Sequence, residues 1–223
     1  MPYGVKSLKR KLILATCAVF LTPISGVAQD RITIAALGDS LTQGYGLPAE
    51  EGFVPQLQRW LTENGAGDVV LINAGVSGDT TAGGLARVDW TLTPEVDAVM
   101  VILGGNDLLR GIDPTVSRSN IDGILSKISE RGLPVLLAGM PAPGNYGLEY
   151  RVKFNAIYPS LAREYGAILY PNFMKGLGPG NDLSRVAHLM QRDGIHPNEE
   201  GVVRIVNAIG PHVLELIENA RAQ

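Results

Sequence analysis

Five apolar runs of strand length recur along the chain, at residues 31–37 (RITIAAL), 69–73 (VVLIN), 97–103 (DAVMVIL), 134–140 (PVLLAGM) and 167–170 (AILY). They are continuous rather than alternating, as strands buried on both faces of a parallel sheet are. Between them, apolar residues return at helical spacing. Phe53, Leu57, Trp60 and Leu61 form one stripe, and Ile121, Ile124, Leu125 and Ile128 form another. The second helix is announced by Asp113-Pro114, an N-cap type followed by proline at the first helical position. Phe154, Ile157, Leu161 and Tyr165 mark a third helix, in which Pro159 predicts a kink. A last helix over 197–220 turns Val202, Ile205, Val206, Ile209, Val213 and Ile217 inward, with a break expected at Gly210-Pro211. Strand–helix alternation of this kind predicts an α/β fold, a five-stranded parallel sheet with helices on both faces.

The N-terminus departs from this pattern. Lys6, Lys9, Arg10 and Lys11 precede an apolar stretch at 12–24, and Gly26-Val27-Ala28 supplies small residues before Gln29. This predicts a cleaved signal peptide over 1–28 and a periplasmic or secreted single domain over 29–223. The apolar stretch is short for a membrane span, and Cys17 sits in a poor lipidation context, so no stable membrane anchor is expected. Cleavage would remove four of the 19 basic residues and none of the 22 acidic ones, leaving 15 against 22. An acidic surface gives no reason to expect nucleic acid as a partner. The single cysteine leaves with the leader, so neither disulfide nor thiol chemistry is available to the domain.

Three strands end in polar, glycine-rich turns, which a parallel sheet gathers at one edge. They are Gly38-Asp39-Ser40, the stretch from Asn73 through Gly75 and Gly78 to Thr80, and Gly104-Gly105-Asn106-Asp107. Ser40 at a strand end is a candidate nucleophile, or a helix cap. Acyl transfer by Ser40 would need oxyanion donors, for which its own N–H, the Gly75 N–H and the Asn106 amide are candidates. Simple turn geometry would equally explain Gly75, and an Asx-turn Asn106. A serine also needs a base. Of His188, His196 and His212, only His196 follows a carboxylate at turn spacing, in Asp193-Gly194-Ile195-His196. Asp193 could orient its imidazole, whereas His188 and His212 read as packing or surface residues. No G-x-G-x-x-G or P-loop motif supports phosphate binding, and one histidine with scattered Asp39, Asp79 and Asp193 is thin for a metal.

Taken together, these blocks resemble the GDSL or SGNH hydrolases. Gly38-Asp39-Ser40-Leu41, the block containing Gly75, Gly104-Gly105-Asn106-Asp107 and Asp193-Gly194-Ile195-His196-Pro197-Asn198 stand in family order. GDSLTQGYGL, AGVSGDTTAGGLARVDW and LGGNDLLRG look like the periplasmic thioesterase and arylesterase branch. The resemblance implies a flavodoxin-like three-layer α/β/α sandwich, Ser40 as nucleophile, His196 as base and Asp193 as its orienter. It implies an oxyanion hole from Ser40, Gly75 and Asn106, and acyl-pocket loops carrying Leu108, Asn145 and Tyr146. It further implies a monomer that acts on small-molecule esters, thioesters or lysophospholipids without metal or other cofactor. A carbohydrate acetyl esterase of the same fold is the alternative enzyme, and a carbohydrate- or lipid-binding protein the alternative of another class.

Overall fold

A computed structural model describes residues 1–4, 31–178 and 183–223. The expected leader over 1–28 lies outside the described residues but for its first four. Five strands, β1 (Ile32–Gly38), β2 (Val69–Gly75), β3 (Ala98–Ile102), β4 (Val135–Ala138) and β5 (Ile168–Tyr170), form one parallel sheet in the order β2-β1-β3-β4-β5. Every residue of β3 and β4 is buried, as their unbroken apolar sequences require. Seven α-helices connect and cover the strands: α1 (Ser40–Gln43), α2 (Phe53–Glu63), α3 (Thr81–Thr91), α4 (Gly105–Arg110), α5 (Pro114–Glu130), α6 (Gly147–Tyr165) and α7 (Glu199–Arg221). Helix α7 packs on α2, while α3, α5 and α6 lie side by side, which gives three layers. None of the described helices is long and apolar enough to cross a membrane.

The N-cap expected at Asp113 is present, its side chain accepting from the Thr115 N–H with Pro114 at the first turn. One proline expectation needs correction: no break occurs at Gly210-Pro211, and α7 runs through Pro211 as α6 runs through Pro159. Both prolines lie on exposed faces, where a carbonyl that loses its helical partner can turn to water. Gly210 has a packing reason instead of a helix-breaking one. A Cβ there would stand 2.6 Å from the Trp60 ring, so the glycine lets α7 close onto α2.

Strand order reverses at β1, which has β2 on one side and β3 on the other. In open α/β sheets the crevice outside the strand ends at such a switch point is where ligands bind. Here the segments leaving β1 and β3 carry Ser40 and Asn106 to that crevice.

Candidate active site

The turn that carries Ser40 is built from below. Gly38 ends β1 in a crowded place, where a Cβ would fall 2.0 Å from Thr42 Oγ1 and 2.9 Å from the Ile102 carbonyl. Asp39, buried to 1% exposure, caps α1, its Oδ1 accepting from the Leu41 N–H at 3.0 Å. Ser40 is then the first residue of α1, so its N–H has no helical partner and faces the helix's positive end. Arg87 holds the floor of this turn. It donates to the Gly38 and Ala74 carbonyls, each at 2.8 Å, and to Asp79 Oδ2 at 2.6 Å. Nothing in its local sequence marks this role, because all three partners lie on other elements.

The loop before α7 supplies the rest. His196 Nε2 lies 2.8 Å from Ser40 Oγ, and His196 Nδ1 lies 2.6 Å from Asp193 Oδ2. With Asp193 accepting from Nδ1–H, the assigned tautomer leaves Nε2 free to accept the serine proton. Asp193 Oδ1 accepts from the Ile195 and His196 amides at 2.9 and 3.1 Å, the folded-back turn that the three-residue spacing predicts. Gln191 ties this loop to the nucleophile side. Its side chain donates to the Tyr45 carbonyl at 2.8 Å and to that of Pro197 at 3.0 Å. The Tyr45 ring also packs on the imidazole, with centroids 4.8 Å apart.

The two carboxylates beside these groups titrate in opposite directions. Burial pushes Asp39 up to about 6, against the partial relief given by the Leu41 N–H and the Asn106 amide. For Asp193, burial acts upward too, but the hydrogen bonds from His196 and from the Ile195 and His196 amides prevail and bring it down to about 2. Asp193 therefore stays ionised beside the His196 ring.

Not every expected site residue meets here. Asn106, near the start of α4, does line the crevice, and its Nδ2 is steered by Asp39 Oδ2 at 3.3 Å with its second N–H to spare. Gly75 requires correction. Strand β2 runs two residues beyond the expected end, so Gly75 lies in register opposite Gly38 and outside the crevice. Its N–H is committed to Asn73 Oδ1 at 3.0 Å, and a Cβ would meet the Gln43 nitrogen at 2.3 Å. It is a glycine because α1 crosses there. The glycine of this block that lines the crevice is Gly78, three residues on, with φ +83° and no acceptor for its N–H among the described residues. Its Ser-Gly-Asp context was the available signal, since a glycine between two turn-forming residues favours positive φ.

Leu108, Asn145 and Tyr146 all line the same cleft, of about 490 Å³, together with Leu109, Met140, Met174 and Leu177. Size and lining are those of a small-molecule site. The remaining histidines are elsewhere: His188 is exposed, and His212 packs edge-on to Tyr170 at 5.0 Å. Asp39, Asp79 and Asp193 are each engaged by protein donors, and among the described residues no three potential ligands gather as a metal site would require.

The profile of the GDSL-like Lipase/Acylhydrolase family matches residues 36–203. Esterase TesA of Pseudomonas aeruginosa is 37% identical over 93% of this chain and 100% of its own length. Thioesterase 1/protease 1/lysophospholipase L1 of Escherichia coli K12 is 33% identical over 90% of this chain and 92% of its own. Among solved structures, the psychrotrophic esterase EstA from Pseudoalteromonas, inhibited by monoethylphosphonate, is 32% identical with a TM-score of 0.75, covering 83% of this chain and 98% of that one. A family match over most of the domain, two full-length relatives and a shared fold lead to one statement: the chain belongs to the GDSL-like lipase/acylhydrolase family and is an ester hydrolase.

Proposed function

We propose that the chain is an exported serine esterase that cleaves acyl and aryl esters and thioesters, lysophospholipids included, through an acyl-enzyme on Ser40. The observation that carries this reading is the continuous contact from Ser40 Oγ to His196 Nε2 and from His196 Nδ1 to Asp193, at 2.8 and 2.6 Å. Ser40 Oγ attacks the carbonyl carbon while His196 takes its proton. His196 then returns that proton to the departing alcohol or thiol, and water repeats the sequence to release the acid. Asp193 holds the imidazole in the right tautomer and stabilises its charged form. The oxyanion donors we assign are the Ser40 N–H, the Gly78 N–H and Asn106 Nδ2, each typically worth about 10²–10³ in rate. An apolar cleft of about 490 Å³ suits a hydrocarbon acyl chain better than a sugar, which would ask for many more polar partners. The basic, apolar and small-residue order of the first 28 residues supports export.

The test is hydrolysis of p-nitrophenyl esters from acetyl to palmitoyl, and of palmitoyl-CoA, by wild type and Ser40→Ala with chelator present. Activity that extends to long acyl chains and thioester, and falls by about 10³ or more in Ser40→Ala, is the expected result. Activity confined to acetyl esters would turn the substrate assignment toward carbohydrate esters. Undiminished activity in Ser40→Ala would end the serine mechanism.

A further inference from the structure

Arg110 is exposed at the end of α4, a position where an arginine usually does no more than keep the surface wet. Yet its Nη2 donates to the Gly78 carbonyl at 2.8 Å. That carbonyl shares a peptide group with the Asp79 N–H, which donates to the Val76 carbonyl at 3.1 Å. The peptide after Gly78 is thus gripped at both its polar ends. On the other side of Gly78, the Ser77 hydroxyl donates to the Gln43 side chain. These bonds matter because a glycine at φ +83° has no side chain to fix its own rotation. The Gly78 N–H belongs to the preceding peptide, and holding the Gly78–Asp79 peptide on one side and the Ser77 side chain on the other restrains the rotation that would turn that N–H from the crevice.

We infer that Arg110 is a positioning residue, whose guanidinium fixes the Gly78 carbonyl and so restrains the φ of Gly78, keeping the Gly78 N–H aimed as an oxyanion donor. The inference rests on the role given to Gly78 above. The geometry has a second element that points the same way. Asn106 and Arg110 are four residues apart on α4 and therefore share one face of a single helical turn. One short helix presents an oxyanion donor of its own and braces the donor supplied by the loop after β2. Two donors from different connections are then set by one rigid piece, and they need not be reoriented as charge develops on the substrate oxygen.

The rival role for an arginine at this place is to receive an anionic leaving group such as a phosphate. The experiment compares Arg110→Ala and Arg110→Lys with wild type and Ser40→Ala in the full chain. It reads kcat and KM on a neutral p-nitrophenyl ester and on palmitoyl-CoA, the rate of Ser40 phosphonylation by a neutral alkyl phosphonate, and Tm. If Arg110 positions Gly78, Arg110→Ala lowers kcat about tenfold on both substrates with KM within about twofold. Phosphonylation slows by the same factor, because the phosphoryl oxygen uses the same donors. Tm stays within about 1 °C, as an exposed substitution allows, and Arg110→Lys recovers part of the rate by keeping a cationic donor. A defect limited to KM for palmitoyl-CoA would overturn the inference in favour of anion binding. Unchanged kcat and phosphonylation would overturn it outright, as would a loss of Tm large enough to account for the lost rate. Full turnover in Ser40→Ala would remove the serine reading and this inference together, whereas an inactive Ser40→Ala beside an unimpaired Arg110→Ala would remove this inference alone.

Discussion

The Ser40 turn and the His196 loop meet across 2.8 Å but are built on different principles. Each contains an aspartate whose Oδ1 accepts the amide two residues ahead, Leu41 for Asp39 and Ile195 for Asp193. Asp39 is buried beneath the sheet edge, and desolvation raises its pKa to about 6. Asp193 is over a third exposed at the side chain and meets a histidine, and its pKa falls to about 2. The same turn chemistry thus gives opposite electrostatics, according to whether the surroundings supply water and a partner or withhold them. The buried turn is held by the fold, through Gly38, Gly75 and Arg87. The exposed loop is held by its own hydrogen bonds and by Gln191. Damage to the first should appear in stability, and damage to the second in rate.

The largest expected effect breaks the exposed side. Asp193→Asn keeps the turn, since an amide oxygen can still accept the Ile195 and His196 N–H groups, but it removes the negative charge opposite Nδ1. We expect kcat to fall about 10²–10⁴-fold with Tm little changed, measured by ester hydrolysis and thermal unfolding in parallel. Activity within tenfold of wild type would mean that Asp193 does not orient His196. Next comes the buried side. Gly75→Ala puts a Cβ 2.3 Å from the Gln43 nitrogen and 2.9 Å from the Asp39 carbonyl, both backbone atoms. We expect a loss of about 3 kcal/mol or more in urea unfolding. A variant of wild-type stability would show that α1 can move off β2.

The smallest effect sharpens the contrast through pH. Asp39 has a folded-state pKa raised above its ordinary 3.8, so folding favours its protonated form. Its contribution to stability is full below about pH 3.8 and is lost as pH rises through 6. A shift of that size corresponds to at most about 3 kcal/mol. Asp39→Asn should therefore gain stability relative to wild type as pH rises from 3.8 to about 6 and hold that gain above it, read as the pH dependence of the difference in unfolding free energy. Asp193, with its pKa lowered, works the other way. It stabilises above about pH 3.8 and loses that contribution as pH falls toward 2. A flat difference curve for Asp39→Asn would mean that Asp39 is not desolvated.

The contrast also explains which parts could be read from the sequence. The strands were legible because burial on both faces leaves an unbroken apolar run, and spacing marked α2, α5, α6 and α7 but not α1, α3 or α4. Asp193 and His196 were legible because their relation is local, three residues within one turn. Only the turn-forming neighbours of Gly78 separate it from Gly75 in the sequence, because the choice depends on where β2 stops pairing with β1 and on where α1 crosses. Gly210-Pro211 misled for a related reason: the glycine answers to Trp60 on another helix, and the proline ring has solvent beside it. Arg87, Arg110 and Gln191 carry no local signal, since each acts on backbone carbonyls that only the tertiary fold brings near.

The bond between Ser40 and His196 joins positions 156 residues apart, and the histidine immediately precedes the helix that completes the domain. Contacts that close so long a loop cost chain entropy and slow folding. On the proposed mechanism, any stretch that ends before residue 196 carries Ser40 without a base, and its hydroxyl is no more reactive than that of an ordinary serine. Reactivity then arrives as a single step, with the docking of α7 and the loop before it.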